Sequence, residues 1–459
     1  MFTIKEIIEI TGGKLLQGHE ARKIVSVHFD SREMREGALF VALTGGSRDG
    51  HEFLRQAAEQ GGEAALISDA AKASETALPS DFSLVLVPDT EKAFQVLART
   101  HRNRLAIPIV AITGSNGKTT TKDILAHILS GKMNVYKTYK NFNNHLGVPL
   151  SLLQMTPDTQ VGVLELGMNH AGEIDFLAGM VRPTYTVITN VNDAHIEFFG
   201  TRERIAEAKG EILPHTDPDG FACLNLDNDL VPGLAHLNPG KTYFYHIQQE
   251  GEPVRAADIT ASSMRFDESG SHFVVQMNDE KAECFMPLFG KHNVSNALPG
   301  IFIARQLGLS LPEITEQLRT LEISSMRFER IDSPSGLLMI NDAYNASPSS
   351  MLAAVTTFLS IYPERKKVLV LGDMFELGDQ SETYHEETGK ALKEMGNDFH
   401  LVTVGQLSKH ITDAYGSGSH FDTLEDAASH LARFKSSKYA MLFKASRGMK
   451  FEKLASALL

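Results

Sequence analysis

The stretch from Ile107 to Leu129 constrains this chain most. Ile107-Pro108-Ile109-Val110-Ala111-Ile112 is a continuous apolar run that reads as a buried strand. It leads straight into Thr113-Gly114-Ser115-Asn116-Gly117-Lys118-Thr119-Thr120, and Lys118 to Leu129 has helical spacing. A glycine-rich turn between a buried strand and a helix presents backbone N–H groups to an anion, and the helix N-terminus adds a favourable dipole. Lys118 can neutralise phosphate charge, and the Thr119 hydroxyl can ligate Mg²⁺. The loop is a short one: Ile112 stands where the longer G-x-x-x-x-G-K-[ST] pattern has its first glycine. We therefore expect ATP with Mg²⁺, its phosphates held by Gly114, Ser115, Asn116, Gly117, Lys118, Thr119 and Thr120.

A chain of 459 residues exceeds one ordinary core and implies several domains. Strands suggested at Gly37–Leu43, Ala64–Ser68 and Leu84–Val87 alternate with helical patterns at Ile4–Ile10, Phe53–Gln60 and Thr90–Thr100. After the phosphate loop, strands are expected at Gly162–Glu165 and Tyr185–Thr189, which implies a parallel sheet covered on both faces. Residues from about 230 to 290 break the rhythm with alternating segments such as His272–Met277, read as an added antiparallel sheet. A helix is expected from Asn293 to Leu307. The last third returns to alternation, with strands at Leu337–Ile340, Lys367–Leu371, Leu401–Val404 and Tyr439–Phe443. The expected fold is α/β in three domains: a small N-terminal α/β domain at 1–87, a central phosphate-loop domain at 88–313, and a C-terminal Rossmann-like, doubly wound domain at 314–459.

Apolar content of 42% and charged content of 22% describe a folded protein rather than a disordered one. A formal net charge of −13 argues against a broad electrostatic grip on nucleic acid. Cys223 and Cys284 form no metal spacing and no disulfide framework, which fits a reducing compartment. The N-terminus lacks a secretory apolar region, and no apolar run approaches the ~20 residues of a membrane helix. We expect a cytoplasmic protein that does not insert in the membrane.

Two further motifs sit at strand ends, where α/β sheets place ligands. Glu165-Leu166-Gly167-Met168-Asn169-His170 offers a carboxylate suited to Mg²⁺. Thr189-Asn190-Val191-Asn192-Asp193-Ala194-His195 offers His195 as ligand or acid/base. Lys209 lies on a helical stretch, and periodicity alone would leave it as a solvated surface lysine. Ser31 and Arg32 read equally well as phosphate contacts or as a capped turn with a surface cation.

Taken together and in order, these motifs resemble the Mur ligases. The resemblance runs through Thr113–Thr121, Asn141–Pro149, Glu165–Glu173, Thr189–His195, Lys209-Gly210-Glu211, Gly290–Ala297, Arg327 and Asn341–Pro348, nearly the whole chain. It implies an ATP-dependent amide-bond ligase of peptidoglycan precursor synthesis. ATP phosphorylates a carboxylate, an amine attacks the acyl phosphate, and a tetrahedral intermediate collapses to amide, ADP and phosphate. The segments Asn141–Pro149, Asp342–Pro348 and Gly372–Gly378 favour the member that joins D-alanyl-D-alanine to UDP-N-acetylmuramoyl-tripeptide.

By resemblance, Thr119 and Glu165 would hold one Mg²⁺, and His195 and Lys209 would serve a second. Lys209 would be carbamylated, and Lys118, His195 and Lys209 would form the catalytic set. Asn293 and Asn296 would lie on the adenine side, and Arg327 would reach ATP phosphate. Asp342, Tyr344 and Asn345 would contact nucleotide and dipeptide. Ser31, Arg32, Asp49, Gly50, His51 and Asn144 would contact the UDP substrate. A monomer is expected. Two positions depart from the family pattern: Ala445 where Lys-Gly-Ser-Arg is usual, and Ser347 where an asparagine is common. The alternatives are a sister ligase with another amine acceptor and, in a different class, a nucleotide-gated regulatory ATPase. The Asp-Asn-Pro-Arg acceptor motif of one sister is absent from the sequence.

Overall fold

The computed structural model describes residues 1–459 except 46–47, 323–325 and 397. The chain forms two compact units. The first comprises Met1–Ala111, Asn134–Met168 and Glu173–Pro183; the second comprises Ile112–Met133, Asn169–Gly172 and Thr184–Leu459.

The first unit opens with the helix Ile4–Thr11, begun by a capping box. The Glu6 backbone N–H donates to Thr3 Oγ1 at 3.2 Å while the Thr3 N–H donates to the Glu6 carboxylate at 2.7 Å. A five-stranded sheet follows, in the spatial order Lys14–Gln17, Ser83–Leu86, Gly62–Ile67, Ala38–Val41, Ser26–His28. All its pairings are parallel except the first. Phe40, Ala42, Leu54, Ala65 and Ile67 form part of its core. The helix Thr90–Arg104 buries Phe94, Leu97 and Ala98. Its Arg102 spends its guanidinium on the carbonyls of Leu105, Val181 and Arg182, which satisfies a largely buried cation. Val135–Lys137 and Val161–Glu165 pair in parallel in the same unit.

In the second unit, Tyr185–Ile188, Phe221–Asn225, Lys241–Ile247 and Ile259–Asp267 run parallel. Gly270–Met277 and Glu280–Met286 then add two antiparallel strands. This corrects the expectation for residues 230–290. Lys241–Ile247 extends the parallel sheet, and only the last three strands of that stretch take part in antiparallel pairing. The alternation seen in the sequence reports one open face, a property that does not reveal strand direction. Helices Lys118–Ser130 and Lys291–Gln306 pack together, with Gly300 against the backbone of Leu125. The helix Leu311–Arg319 packs on Glu280–Met286 and on Lys118–Ser130, and residue 314 falls inside it.

The C-terminal sheet has the order Glu329–Asp332, Leu338–Asn341, Tyr439–Lys444, Lys366–Gly372, Phe399–Val404, Ser419–Phe421. It is parallel apart from the first, edge pairing. Val368, Val370, Met441 and Phe443 are buried at its centre. The carboxyl ends of three neighbouring strands therefore present Asp342, Asp373 and Ser446 on one side, the side on which open α/β sheets place their ligands.

Candidate active site

The strand Ile109–Thr113 is wholly buried, and the helix Lys118–Ser130 starts directly after Gly117. Two glycines are required between them. Gly117 has φ +84°, and a Cβ there would collide with the Asn296 amide; Gly114 has φ +148°, and a Cβ there would collide with the Thr189 hydroxyl. The loop is braced by the segment after Tyr185–Ile188. The Ser115 N–H donates to the Asn190 carbonyl at 2.9 Å, and the Asn116 N–H to Asn190 Oδ1 at 2.9 Å. Asn190 Nδ2 and Thr189 Oγ1 both donate to the Asn116 carbonyl, at 3.0 and 2.6 Å. Lys118 Nζ reaches the carbonyls of Gly114 and Ser115 at 2.7 and 3.3 Å.

Arg327 joins this loop from the C-terminal part of the chain. Its Nη2 donates to Thr119 Oγ1 at 3.0 Å, and its guanidinium lies 4.3 Å from the centre of the Tyr344 ring. Its Nε is buried with no acceptor among the described residues. An orphaned buried donor beside a phosphate-type loop is what an anionic ligand satisfies. Asn293 and Asn296 are also buried nearby in the fold: Asn293 donates to the Phe289 carbonyl at 2.9 Å, and Asn296 approaches Gly117.

His195 takes a left-handed conformation, φ 67°, just before the short helix Ile196–Phe199. Lys209 lies in the last turn of the helix Arg202–Gly210 and is only 1% exposed. Its burial, and next the charge of Lys118, push its ammonium well below the ordinary lysine range. The side chain is therefore buried where the neutral amine is favoured, and it is no surface cation. Periodicity did not single out Lys209, because the helix carries no clear apolar stripe; its burial comes from tertiary packing.

Glu165, in the first unit, is 3% exposed at the end of Val161–Glu165. Its backbone N–H donates to Thr138 Oγ1 at 3.0 Å, and Asn143 Nδ2 donates to its carboxylate at 2.9 Å. The sequence singles out the neighbouring Asn144 rather than Asn143. Asn144 instead spends Oδ1 on the N–H groups of Leu146 and Gly147, opening the helix Gly147–Leu153. The sequence signal for Asn143 is its place in the Asn141–Pro149 segment.

The N-terminal candidates divide. Arg32 is exposed and forked onto Asp30 at 2.9 and 2.6 Å, and Ser31 donates to Gln56 at 2.7 Å. His51 is 2% exposed, with Nδ1 2.6 Å from Asp49 and Nε2 accepting from the N–H groups of Ser68 and Asp69. Asp49 also binds Lys72, whose ammonium together with His51 holds that carboxyl well below the usual range. A Cβ on Gly50 would press on the Leu43 backbone. The side chains of Asp49 and His51 thus hold this loop together.

In the C-terminal domain, Lys444 Nζ binds Asp342 Oδ2 at 2.8 Å and the Asn345 carbonyl at 2.9 Å. Asp342 Oδ1 accepts from the Phe328 N–H at 3.1 Å, next to Arg327, while Asn345 is exposed. The two departures have local reasons. Ser347 caps the helix Pro348–Ser360 through a box with Ser350, a task serine and asparagine share. Ala445 is fully buried opposite Gly372, whose missing side chain makes room for the methyl group.

The donor chemistry suits Mg²⁺. In the second unit Thr119 supplies a hard oxygen beside the loop, and no three His, Cys, Asp or Glu side chains among the described residues gather into a metal cage. Mg²⁺ commonly takes one or two protein ligands and keeps water or phosphate oxygens for the rest.

Family models match three consecutive parts of the chain: the Mur ligase family, catalytic domain, at 23–103; the Mur ligase middle domain at 112–304; and the Mur ligase, glutamate ligase domain, at 326–447. The chain is 38% identical to UDP-N-acetylmuramoyl-tripeptide–D-alanyl-D-alanine ligase of Bacillus subtilis, over 100% of this chain and 98% of that one. It is 34% identical to the protein of the same name from Escherichia coli, over 99% and 98%. Among solved structures, MurF from Acinetobacter baumannii superposes with a TM-score of 0.89 at 31% identity, covering 100% of this chain and 98% of that one. MurF ligase from Thermotoga maritima in complex with ADP superposes with a TM-score of 0.80 at 29% identity, covering 95% and 97%. With matches along its whole length and in each of its three parts, the chain belongs to the Mur ligase family.

Proposed function

We propose that this chain is an ATP-dependent ligase that joins D-alanyl-D-alanine to UDP-N-acetylmuramoyl-tripeptide through an acyl phosphate, in peptidoglycan precursor synthesis. The observation that carries this reading is the full-length similarity to ligases of that name, at 38% and 34% identity. The site supports it, because a braced phosphate loop meets Arg327, a cation whose buried Nε has no acceptor among the described residues.

The residues divide the work as follows. The loop from Gly114 to Thr120 and Lys118 hold the ATP phosphates, and Arg327 steadies the transferred group, so that catalysis rests on positioning and charge. Mg²⁺, when bound, neutralises the oxygens of the two approaching polyanions. Motif order within the family supports Thr119 and Glu165 at one ion and His195 and Lys209 at a second. Asn293 and Asn296 serve the adenine end, and Asp342, Tyr344 and Asn345 face nucleotide and dipeptide. Ser31, Arg32, Asp49, Gly50, His51 and Asn144 serve the UDP substrate. We assign these roles to the segments 1–87, 88–313 and 314–459, and read the protein as a cytoplasmic monomer. Buried free thiols and a nucleotide co-substrate support the compartment.

A buried neutral amine is the form that reacts with carbon dioxide. The neutral Lys209 amine would add carbon dioxide through a new N–C bond and release one proton, which converts it into an anionic carbamate donor beside Lys118. The central test of the route is isotopic. With ¹⁸O in the terminal carboxylate of the tripeptide, one labelled oxygen should appear in the released phosphate; phosphate free of label would rule the acyl phosphate out.

A further inference from the structure

We propose that Glu376 is a positioning residue for His195, delivered from the C-terminal domain to fix the ring's tautomer and orientation. The inference rests on the reading of His195 as a metal-site residue. Glu376 Oε2 lies 2.7 Å from His195 Nδ1. That nitrogen has no other partner among the described residues.

The loop that carries Glu376 is fixed residue by residue. Asp373 accepts from the N–H groups of Gln406, Leu407 and Ser408 at 3.1, 3.1 and 2.7 Å. The Met374 N–H donates to His385 Nε2 at 2.9 Å, and that buried ring is itself held through Nδ1 by the Ser381 carbonyl. The Phe375 N–H donates to Ser446 Oγ at 2.9 Å. Glu376 then turns into the left-handed region, φ 62°, and meets His195, which is left-handed at φ 67°. Two non-glycine residues in that region facing each other across one contact mark a position the surrounding fold enforces.

The contact is also doubled through the backbone. The Glu197 N–H donates to the Glu376 carbonyl at 3.3 Å, and Gly378, φ +63°, lies against the Glu197 backbone. A carboxylate on Nδ1 keeps the proton there and leaves Nε2 as the electron-pair donor, the arrangement that orients histidines toward metal ions. The domain that carries Asp342 and Ser446 thereby also sets the geometry of His195.

Two readouts test this, neither of them turnover: the His195 tautomer by ¹⁵N NMR of the metal-free protein, and Mn²⁺ affinity by electron paramagnetic resonance with Mn²⁺ alone. Glu376→Ala should lose the Nδ1–H tautomer preference and weaken Mn²⁺ binding about 10–100-fold. Glu376→Gln keeps an acceptor oxygen without the charge, so it should retain the tautomer and lose about threefold in affinity; should the alanine variant fail to fold, an unchanged affinity in Glu376→Gln overturns the proposal. A folded Glu376→Ala with wild-type tautomer and affinity overturns it too, including when the melting temperature falls, since that marks a merely structural contact. His195→Ala separates the two readings. If it weakens Mn²⁺ binding while Glu376→Ala does not, His195 keeps its role and Glu376 loses its own; if His195→Ala binds Mn²⁺ as wild type does, the reading of His195 itself fails, and this inference with it.

Discussion

Arg327 does two things at once: it donates to Thr119 and lies over Tyr344. A lysine has a point charge in place of a planar fork and cannot keep both contacts. Arg327→Lys is expected to lower kcat/KM for ATP by about 10–100-fold, or about 1.4–2.8 kcal/mol of transition-state stabilisation. Steady-state kinetics check this, and a change below twofold would contradict it. Lys209 makes a second prediction at this scale. Its burial disfavours the ammonium and so favours the neutral amine, whose uptake of carbon dioxide releases a proton. Protein equilibrated with ¹³C-bicarbonate should show a carbamate carbon signal that Lys209→Gln lacks. An unmodified amine in the active enzyme, seen by the same measurement, would remove Lys209 from the metal set.

At the scale of elements, the phosphate loop and the C-terminal strand ends are held by close approaches that only small residues permit. Gly117→Ala forces a Cβ into the Asn296 amide at a left-handed position, so it should cost about 1–3 kcal/mol of stability. It should also abolish most nucleotide binding; denaturant unfolding and calorimetry with ADP measure the two effects. Wild-type behaviour in both would mean that Asn296 moves freely. Elements were legible in the sequence wherever burial is continuous. The strand Ile109–Thr113 and the central C-terminal strands are nearly all apolar, the helix Lys118–Ser130 is buried along most of its length, and all fall within a few residues of their expected places. Less legible were short edge strands such as Glu329–Asp332, whose polar sequence gives no run to detect, and the direction of Lys241–Ile247. The site was legible where a motif surrounds the residue, as in the phosphate loop. Asn143, Glu376 and the burial of Lys209 depend on which segments the fold brings together, information that local spacing does not carry.

For the whole molecule, the second unit joins the phosphate loop, His195, Lys209, Arg327 and the C-terminal sheet, while the first carries the parallel sheet with Ser31 and Arg32 and the buried Glu165. This distribution suits a ligase that must bring a nucleotide, a UDP-linked acid and an amine into one reaction. The most direct measurement is ADP release and product mass with ATP, Mg²⁺ and UDP-N-acetylmuramoyl-tripeptide, run in parallel with D-alanyl-D-alanine, diaminopimelate, lysine or glutamate as the amine. The account predicts one ADP per amide formed with D-alanyl-D-alanine and little above background with the others. ADP release independent of any amine, or preferential use of a single amino acid, would contradict it.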